Sequence, residues 1–300
     1  MATPAIWTKN LTRCFGDFVA VDSVTFEGHP GEIVGYLGPN GCGKTTTIRM
    51  LLGLLRPTRG EAQVLGYDIA RQSEEVRARC GYMSQKFAIY DDLSVRENLQ
   101  FYGGVYGIHD QSAIQGTIDH VGLTGHEQVL TREMSTGWRQ RLALGIALVH
   151  NPRLLFLDEP TSGVDPSARR AFWDLIYDLA GQGVTVLVTT HYMDEAEYCH
   201  RVGMMRAGKL LAMDSPVNLK ESLGAKVWEV MAEPLLPALD RLASLPGVRR
   251  AGLAGDRLRA VTDPQVEAAA LTAGLASAGF QHAIVQPGDL TMEDVFLSFH

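Results

Sequence analysis

The stretch that decides the fold is Gly38-Pro39-Asn40-Gly41-Cys42-Gly43-Lys44-Thr45-Thr46. It follows the pattern Gly-x-x-x-x-Gly-Lys-Ser/Thr, with an apolar run over 33–37 before it and a helix-forming run over 46–55 after it. A buried strand, a glycine-rich turn and a helix in this order form a phosphate-binding loop, whose backbone N–H groups surround a polyphosphate. We expect Lys44 to contact the β- and γ-phosphates of a nucleoside triphosphate, and the Thr45 hydroxyl to bind Mg²⁺.

Composition limits the classes of protein that remain. A chain of 300 residues, 46% of them hydrophobic and 20% charged, is large enough for an ordinary globular core. The formal net charge of −7, without any Lys/Arg run, argues against a nucleic-acid partner. The cysteines lack metal-ligand spacing and suit a reducing cytosol. No apolar stretch reaches the roughly 18 residues that span a bilayer, so we expect another chain to supply any membrane span.

The pattern along the chain predicts two domains. Over residues 1–220 apolar strands alternate with helical segments, which indicates an α/β domain. A helical pattern covers residues 93–121, and Ser94 with Glu97 forms a predicted capping box at its start. Over residues 221–300 the order β-α-β-β-α-β, followed by a terminal helix, predicts a small ferredoxin-like α+β domain. The chain has one phosphate-loop motif and no internal repeat.

A second motif places two acids, Asp158 and Glu159, directly after the apolar strand Leu154–Leu157. A strand that ends there puts Asp158 at the carboxyl edge of the sheet, where open α/β folds bind ligands. We expect Asp158 to hold Mg²⁺ through its water shell and Glu159 to polarise an attacking water as general base. Alone, the two acids could equally cap the next turn; the phosphate loop upstream favours the catalytic interpretation.

In this order the motifs resemble those of the nucleotide-binding subunit of an ABC (ATP-binding cassette) transporter, from residue 5 to about residue 220. The resemblance implies a P-loop NTPase of the ABC-cassette type. Its mostly parallel sheet core carries an antiparallel β subdomain and an α-helical subdomain, here at about 86–150. ATP and Mg²⁺ are the implied ligands, and ATP hydrolysis the implied activity. The segments 189–197 and 291–296 resemble the bacterial exporter branch, which includes drug and antibiotic efflux ATPases, often with a small C-terminal domain.

The resemblance also assigns roles to residues outside the phosphate loop. Phe15 matches the aromatic residue that stacks on adenine, with Phe18 as a rival. Gln85 matches the glutamine that contacts Mg²⁺ and the attacking water. His191 follows a buried strand and matches the histidine that contacts the γ-phosphate, and Asp165 lies in the loop that crosses the dimer interface. Taken singly, each could be a structural residue; the ordered set carries the assignment.

The signature segment departs from the family pattern. It is usually Leu-Ser-Gly-Gly-Gln and reads Met134-Ser135-Thr136-Gly137-Trp138 in this chain. Ser135 and Gly137 keep the hydroxyl and the bare backbone N–H that are expected to meet a γ-phosphate, at a helix that we expect to begin near Gly137. Trp138 replaces a polar contact by apolar bulk.

Partners follow from the same resemblance. In the family, the phosphate loop of one subunit and the signature of the other close over each ATP, so a single cassette implies a homodimer with two composite sites. A separate multi-span permease is the implied partner, docked beside residues 85–90, which would serve equally well as buried core. The implied location is the cytoplasmic face of the cell membrane, as a peripheral subunit.

Two other functions stay open. A soluble ABC ATPase that remodels a macromolecular complex would usually carry two cassettes or a long coiled-coil insert, and the sequence has neither. A scaffold that binds ATP without hydrolysing it would not need both Glu159 and His191.

Cys42 is the remaining residue of note in the phosphate loop. It is either a small filler or a thiol whose pKa the helix N-terminus lowers. In the second case a thiol reagent should inhibit hydrolysis, and ATP should protect.

Overall fold

The chain forms two compact units, which divide between Ser215 and Pro216. The computed structural model describes residues 3–299. The boundary predicted after residue 220 falls inside the helix Pro216–Ser222, which packs against the helix Met292–Ser298 of the second unit. Within residues 3–299, no helix has the length and apolarity needed to cross a bilayer.

The first unit combines two β-sheets with a set of helices. Its strands are β1 (Ile6–Phe15), β2 (Phe18–Gly28), β3 (Ile33–Leu37), β4 (Arg59–Val64), β5 (Tyr67–Asp68), β6 (Cys80–Met83), β7 (Leu154–Asp158), β8 (Thr185–Thr190), β9 (Arg201–Arg206) and β10 (Lys209–Asp214). Its helices are α1 (Lys44–Leu51), α2 (Ser73–Arg77), α3 (Val95–Val105), α4 (Gln111–His120), α5 (Thr136–Leu148), α6 (Pro166–Gly181) and α7 (Met193–Ala196), with a 3-10 turn at Thr131–Glu133.

The central sheet has the strand order β10-β9-β3-β8-β7-β6, and every neighbouring pair except β10–β9 is parallel. All residues of β3, β7 and β8 are buried, as continuous apolar strands in a parallel sheet should be. Parallel strands end at the same edge, so these three adjacent strands bring the segments that follow them together. The phosphate loop, Glu159 and His191 lie in those segments, and Asp158 is the last residue of β7 itself.

The second sheet has the order β2-β1-β4-β5, and its pairs are antiparallel. Its inward side chains, such as Ile6 and Val21, share one hydrophobic core with residues of β3 and α1. Phe26 of β2 meets Tyr36 of β3 with ring centroids 5.3 Å apart. This sheet is the antiparallel β subdomain that the resemblance implies.

Residues 86–150 contain α3, α4 and α5, which pack against one another. The capping box at the start of α3 is confirmed: the Ser94 side chain accepts from the Glu97 backbone N–H, and the Glu97 carboxylate accepts from the Ser94 backbone N–H. The helical pattern predicted over 93–121 divides into two helices. Gly107, with a φ of 75°, lies just beyond α3 in the left-handed conformation that commonly terminates helices.

The second unit is a four-stranded antiparallel sheet with helices. Its elements are α8 (Pro216–Ser222), β11 (Lys226–Met231), α9 (Leu235–Ala243), β12 (Val248–Ala254), β13 (Arg257–Thr262), α10 (Ala268–Ala276), β14 (Ile284–Gly288) and α11 (Met292–Ser298). The strand order is β12-β13-β11-β14. The side chains of Trp228, Val230 and Leu258 pack with Leu242 of α9 and Leu275 of α10 in its core. The predicted β-α-β-β-α-β order is therefore present.

Candidate nucleotide-binding site

The phosphate loop connects β3 to α1, and Gly43 is the N-cap of that helix. Two of its glycines are required by their surroundings. Gly43 has a φ of 108°, and a Cβ there would lie 2.5 Å from the carbonyl oxygen of Ala20 in β2. A Cβ at Gly38 would lie 2.3 Å from the carbonyl oxygen of Met205 in β9. A side chain at either position would displace the loop, so its shape depends on glycine.

Lys44 is buried at the first position of α1, where the loop itself orients its side chain. Its ammonium donates to the carbonyl oxygens of Gly38, at 2.6 Å, and Pro39, at 3.1 Å. The same nitrogen lies 3.2 Å from Glu159 Oε1. A buried ion pair needs such additional hydrogen bonds to offset the desolvation of its charges. The predicted phosphate-binding cation and the predicted general base are therefore direct neighbours.

Asp158, the last residue of β7, receives two hydroxyl groups on one carboxylate oxygen. Thr45 donates to Oδ1 at 3.0 Å and Thr189 of β8 donates to it at 2.8 Å. Burial raises the pKa of Asp158, and the two hydroxyls and Lys44 oppose this effect only in part. Hydroxyl and carboxylate oxygens are ligands that Mg²⁺ prefers, and a cation would stabilise the buried carboxylate. Thr45 and Asp158 therefore fit the predicted magnesium site.

Glu159 is 6% exposed, and its carboxylate is the centre of the site. The Gln85 amide donates to Oε2 at 3.0 Å, and His191 Nδ1 lies 3.3 Å from the same oxygen without the alignment of a hydrogen bond. The Glu159 backbone has a φ of 49°, and its N–H donates to the carbonyl and the hydroxyl of Thr189. The neighbouring strand thus fixes this strained residue. The four predicted catalytic residues all meet here.

A cavity of about 420 Å³ adjoins these groups. It is lined by residues of the phosphate loop, by Gln85 and Glu159, and by Phe15 and Phe18. The two phenylalanines face each other where β1 ends and β2 begins, and they are 47% and 63% exposed. The guanidinium of Arg13 lies 4.6 Å from the centroid of the Phe15 ring. Both aromatic rings border the cavity, so Phe15 and its rival stay predictions for the adenine contact.

The signature residues line a different cavity of the same unit. Ser135 is the N-cap of α5, which begins at Thr136 and not at Gly137, and its hydroxyl accepts from the Trp138 N–H at 3.4 Å. Ser135, Gly137 and Asp165 all border this second cavity of about 600 Å³, to which no residue of the phosphate loop contributes. The carboxylate of Asp165 also caps α6. The structure therefore does not bring the signature to the phosphate loop of its own chain.

Trp138 has a packing role that the sequence did not reveal. Its ring stacks on His126 with centroids 4.3 Å apart, and the Arg141 guanidinium lies 5.7 Å from its centroid. Arg141 follows Trp138 by three positions on α5, a helical spacing, whereas no sequence spacing connects His126 with Trp138, because His126 belongs to the loop between α4 and α5.

Comparison with known proteins places this architecture in a family. A family model described as ABC transporter matches residues 21–162. The Nod factor export ATP-binding protein I of Cupriavidus metallidurans is 36% identical over 300 residues, an alignment that covers 98% of this chain and 97% of that protein. The chain belongs to the ATP-binding subunits of ABC transporters, a family of ATPases.

Other similar proteins agree with this membership. The probable multidrug ABC transporter ATP-binding protein YbhF of Escherichia coli (strain K12) is 50% identical over 218 residues, which cover 72% of this chain and 38% of YbhF. The chain therefore matches well under half of that relative. A solved structure described as an ATP binding subunit of an ABC transporter has a TM-score of 0.66 and 26% identity, covering 74% of this chain and 94% of the other. The predicted family and cassette fold are confirmed, and the names of the two relatives agree with the exporter branch.

The structure decides between the two interpretations of Cys42 in this ABC subunit, in favour of the small filler and against the lowered pKa. The residue is 3% exposed, and burial raises the pKa of its thiol, although Lys44 and two backbone N–H groups act in the opposite direction. The helix N-terminus alone would have lowered the pKa; desolvation of the thiolate outweighs it. Cys42 is therefore a small buried filler.

Sequence reasoning missed two further residues of the cassette. Thr189 donates to Asp158 and accepts from the Glu159 backbone, and Glu195 is a fully buried carboxylate of α7. The run Thr189-Thr190 before His191 carried a signal, because threonines at the end of a buried strand need hydrogen-bond partners. Nothing in the sequence pointed to those partners.

Proposed function

We propose that the chain is the ATP-hydrolysing subunit of an exporter, and that it drives a separate membrane permease. One observation carries the proposal: the ends of β3, β7 and β8 bring a cation, two acids and a histidine together. Lys44 and Glu159 border one cavity of about 420 Å³, Asp158 accepts a hydrogen bond from Thr45 at the same cavity, and His191 lies 3.3 Å from Glu159. A buried cation, a buried metal-binding acid and a second acid near a histidine are the groups that phosphoryl transfer to water requires.

The roles follow from the contacts. Lys44 binds the β- and γ-phosphates, because the carbonyl oxygens of Gly38 and Pro39 hold its ammonium within the loop that would surround them. Glu159 accepts a proton from the attacking water, and Gln85 and His191 orient that carboxylate and the γ-phosphate. Thr45, Asp158 and Gln85 hold Mg²⁺, which would neutralise phosphate charge in the transition state.

The second cavity supports a homodimer with two composite sites. Ser135, Gly137 and Asp165 border a cavity separate from the phosphate loop, so their proposed contact with a γ-phosphate needs the nucleotide of another subunit. ATP then acts as a bridge between two copies, and hydrolysis removes the phosphate that both hold. Opening of the dimer provides the switch that moves the permease.

Export and location rest on the relatives. The Nod factor export and multidrug proteins named above support an exporter role, with the chain peripheral to the cytoplasmic face of the membrane. The segment 85–90 supports permease docking, because it is not buried core: Tyr90 is 48% exposed and packs on Phe101, which is 47% exposed. The transported molecule would be chosen by the permease.

The variant Glu159→Gln tests the catalytic assignment. We expect ATP hydrolysis to fall at least about 100-fold, because an amide cannot accept the proton of the water. ATP with Mg²⁺ should then trap a dimer, measured by light scattering after size-exclusion chromatography. The exposed residue Glu61 provides the matched control Glu61→Gln. This variant should hydrolyse ATP at the wild-type rate and should not remain a dimer once its ATP has been hydrolysed.

Three results would contradict the proposal in different ways. Unchanged hydrolysis in Glu159→Gln removes the general base. A wild type without hydrolysis favours the ATP-gated scaffold. A monomer in Glu159→Gln with ATP and Mg²⁺ removes the composite site.

A further inference from the structure

One buried carboxylate lies outside the nucleotide cavity and connects two loops of the site. Glu195 is 0% exposed, on the short helix α7. The Thr161 hydroxyl donates to its Oε1, and the Thr190 hydroxyl donates to its Oε2 at 2.5 Å. Thr161 lies between Glu159 and the cap of α6, whereas Thr190 directly precedes His191. A single side chain of α7 thus joins the loop after β7 to the end of β8, directly before His191.

Arg169 of α6 adds a third element to this cluster. Its Nε lies 3.6 Å from Glu195 Oε1, and its guanidinium lies 4.1 Å from the centroid of the Tyr192 ring. The Tyr192 N–H donates to the Thr190 hydroxyl at 2.9 Å, and its ring lies 4.2 Å from the His191 ring. The residues on both sides of His191 are therefore tied to Glu195.

Burial of the Glu195 carboxylate costs free energy unless its hydrogen bonds and its ion pair are kept. A buried carboxylate is stable only when it is paired and hydrogen-bonded, so movement of either loop would leave an acid without its partners. None of Thr161, Thr190 or Glu195 borders the nucleotide cavity. Any effect on the reaction must therefore pass through the residues that they hold.

We propose that Glu195 is a positioning residue that fixes the two loops as one body, and so keeps His191 and Asp165 in register with the nucleotides. The inference rests on the proposed function, in which His191 contacts the ATP of its own subunit and Asp165 faces the partner. Glu195 then links the two ATP sites of the dimer through one carboxylate.

The variants Thr161→Val and Thr190→Val test this role, because each removes one donor with little change of shape. We expect kcat for ATP hydrolysis to fall about tenfold in each, with KM within about twofold, since the phosphate loop is untouched. The matched control is Thr131→Val, which removes an equally buried hydroxyl that bonds to Leu93 and Asn98 in the helical segment. It should lose similar thermal stability and keep kcat.

Coupling through one carboxylate makes a second prediction. The double variant Thr161→Val/Thr190→Val should have a kcat close to that of the single variant with the lower kcat, because both substitutions break the same link between the two segments through Glu195. Glu195→Gln should resemble the double variant, since its amide offers an acceptor to only one of the two threonine hydroxyls. Glu195→Ala would remove the acceptor of both hydroxyls and leave Arg169 with Asp194 alone, 3.5 Å away, so it would confound folding with catalysis.

The outcomes separate the two proposals. If Thr161→Val and Thr190→Val keep kcat within about twofold of Thr131→Val, or if their losses multiply in the double variant, Glu195 does not position the loops. A wild type without ATPase activity would instead overturn the proposed function, and this inference with it.

Discussion

The two cavities of the cassette differ in how they use charge. At the phosphate loop, Lys44 and Glu159 are 4% and 6% exposed and form an ion pair of 3.2 Å. At the signature, Ser135 and Asp165 use their side chains as helix caps. A Cβ at Gly137 would lie 3.2 Å from Ala168 Cβ of α6, so a glycine suits this close contact between the two helices. The first cavity holds pre-organised ionic groups; the second offers helix N-termini and a close helix contact.

The difference separates chemistry from recognition. Ionic groups buried in one unit can bind phosphate and act on water, because desolvation strengthens their fields. The helix N-termini of the second cavity attract an anion, and Arg141 adds a cation to its lining, but neither can accept a proton from water. Loss of a phosphate-loop group should therefore impair both binding and chemistry, whereas loss of a signature group should impair hydrolysis without impairing ATP binding by the monomer.

The largest expected effect is that of Lys44→Ala. Hydrolysis should fall at least about 100-fold, because the phosphates lose their cation and Glu159 loses its buried partner. Binding of ATP, measured by isothermal titration calorimetry, should weaken as well. Lys9→Ala is the control, since Lys9 is exposed and lies 3.9 Å from Glu61. If Lys44→Ala binds ATP as tightly as the wild type, the proposed difference between the two cavities is wrong.

A smaller effect is expected for Ser135→Ala. Its kcat should fall about tenfold through the lost contact with the partner's nucleotide, and its stability should fall by about 1 kcal/mol through the lost cap. ATP binding by the monomer should not change. Ser135→Asp separates the two roles, because aspartate caps a helix but repels a γ-phosphate.

Measurements of thermal unfolding and of ATP hydrolysis decide between the two roles of Ser135, as a helix cap and as a contact of the γ-phosphate. Ser135→Asp should unfold near the wild-type temperature and hydrolyse no faster than Ser135→Ala. If it recovers both stability and activity, Ser135 is only a cap.

The smallest effect is expected for Cys42→Ala, with hydrolysis within about threefold of wild type, because the thiol does not border the nucleotide cavity. Alkylation of native Cys42 should be slow near neutral pH. Burial raises its pKa, so the reactive thiolate is scarce below that value and increases only as the pH rises toward it. Peptide mass spectrometry over a pH series measures this; fast labelling at neutral pH that ATP prevents would restore the lowered-pKa hypothesis.

Much of the site could be predicted because its signals are local. The phosphate loop needs glycine at fixed positions, and the apolar run before Asp158 identifies a strand that is buried on both faces. Once β3, β7 and β8 are parallel neighbours, the meeting of Lys44, Glu159 and His191 follows from topology.

The remaining features depend on contacts between distant segments. The strands β9 and β10 have no sequence prediction, because Arg201–Arg206 is bounded by arginines and Lys209–Asp214 is partly exposed. The burial of Cys42 and the partners of Glu195 depend on packing that no periodicity encodes. Composition alone likewise could not choose between Phe15 and Phe18, since two adjacent strand ends present both rings to one cavity.

The carbonyl oxygens of Ala20 and Met205, which leave no room for side chains at Gly43 and Gly38, come from different sheets. The backbone of two neighbouring strands, β2 and β9, thus restricts the path of the loop. Transplanting residues 38–46 into a foreign scaffold would carry over the glycines but not the neighbouring backbone of β2 and β9. A graft of that kind would need both flanking strands to reproduce the anion-binding shape.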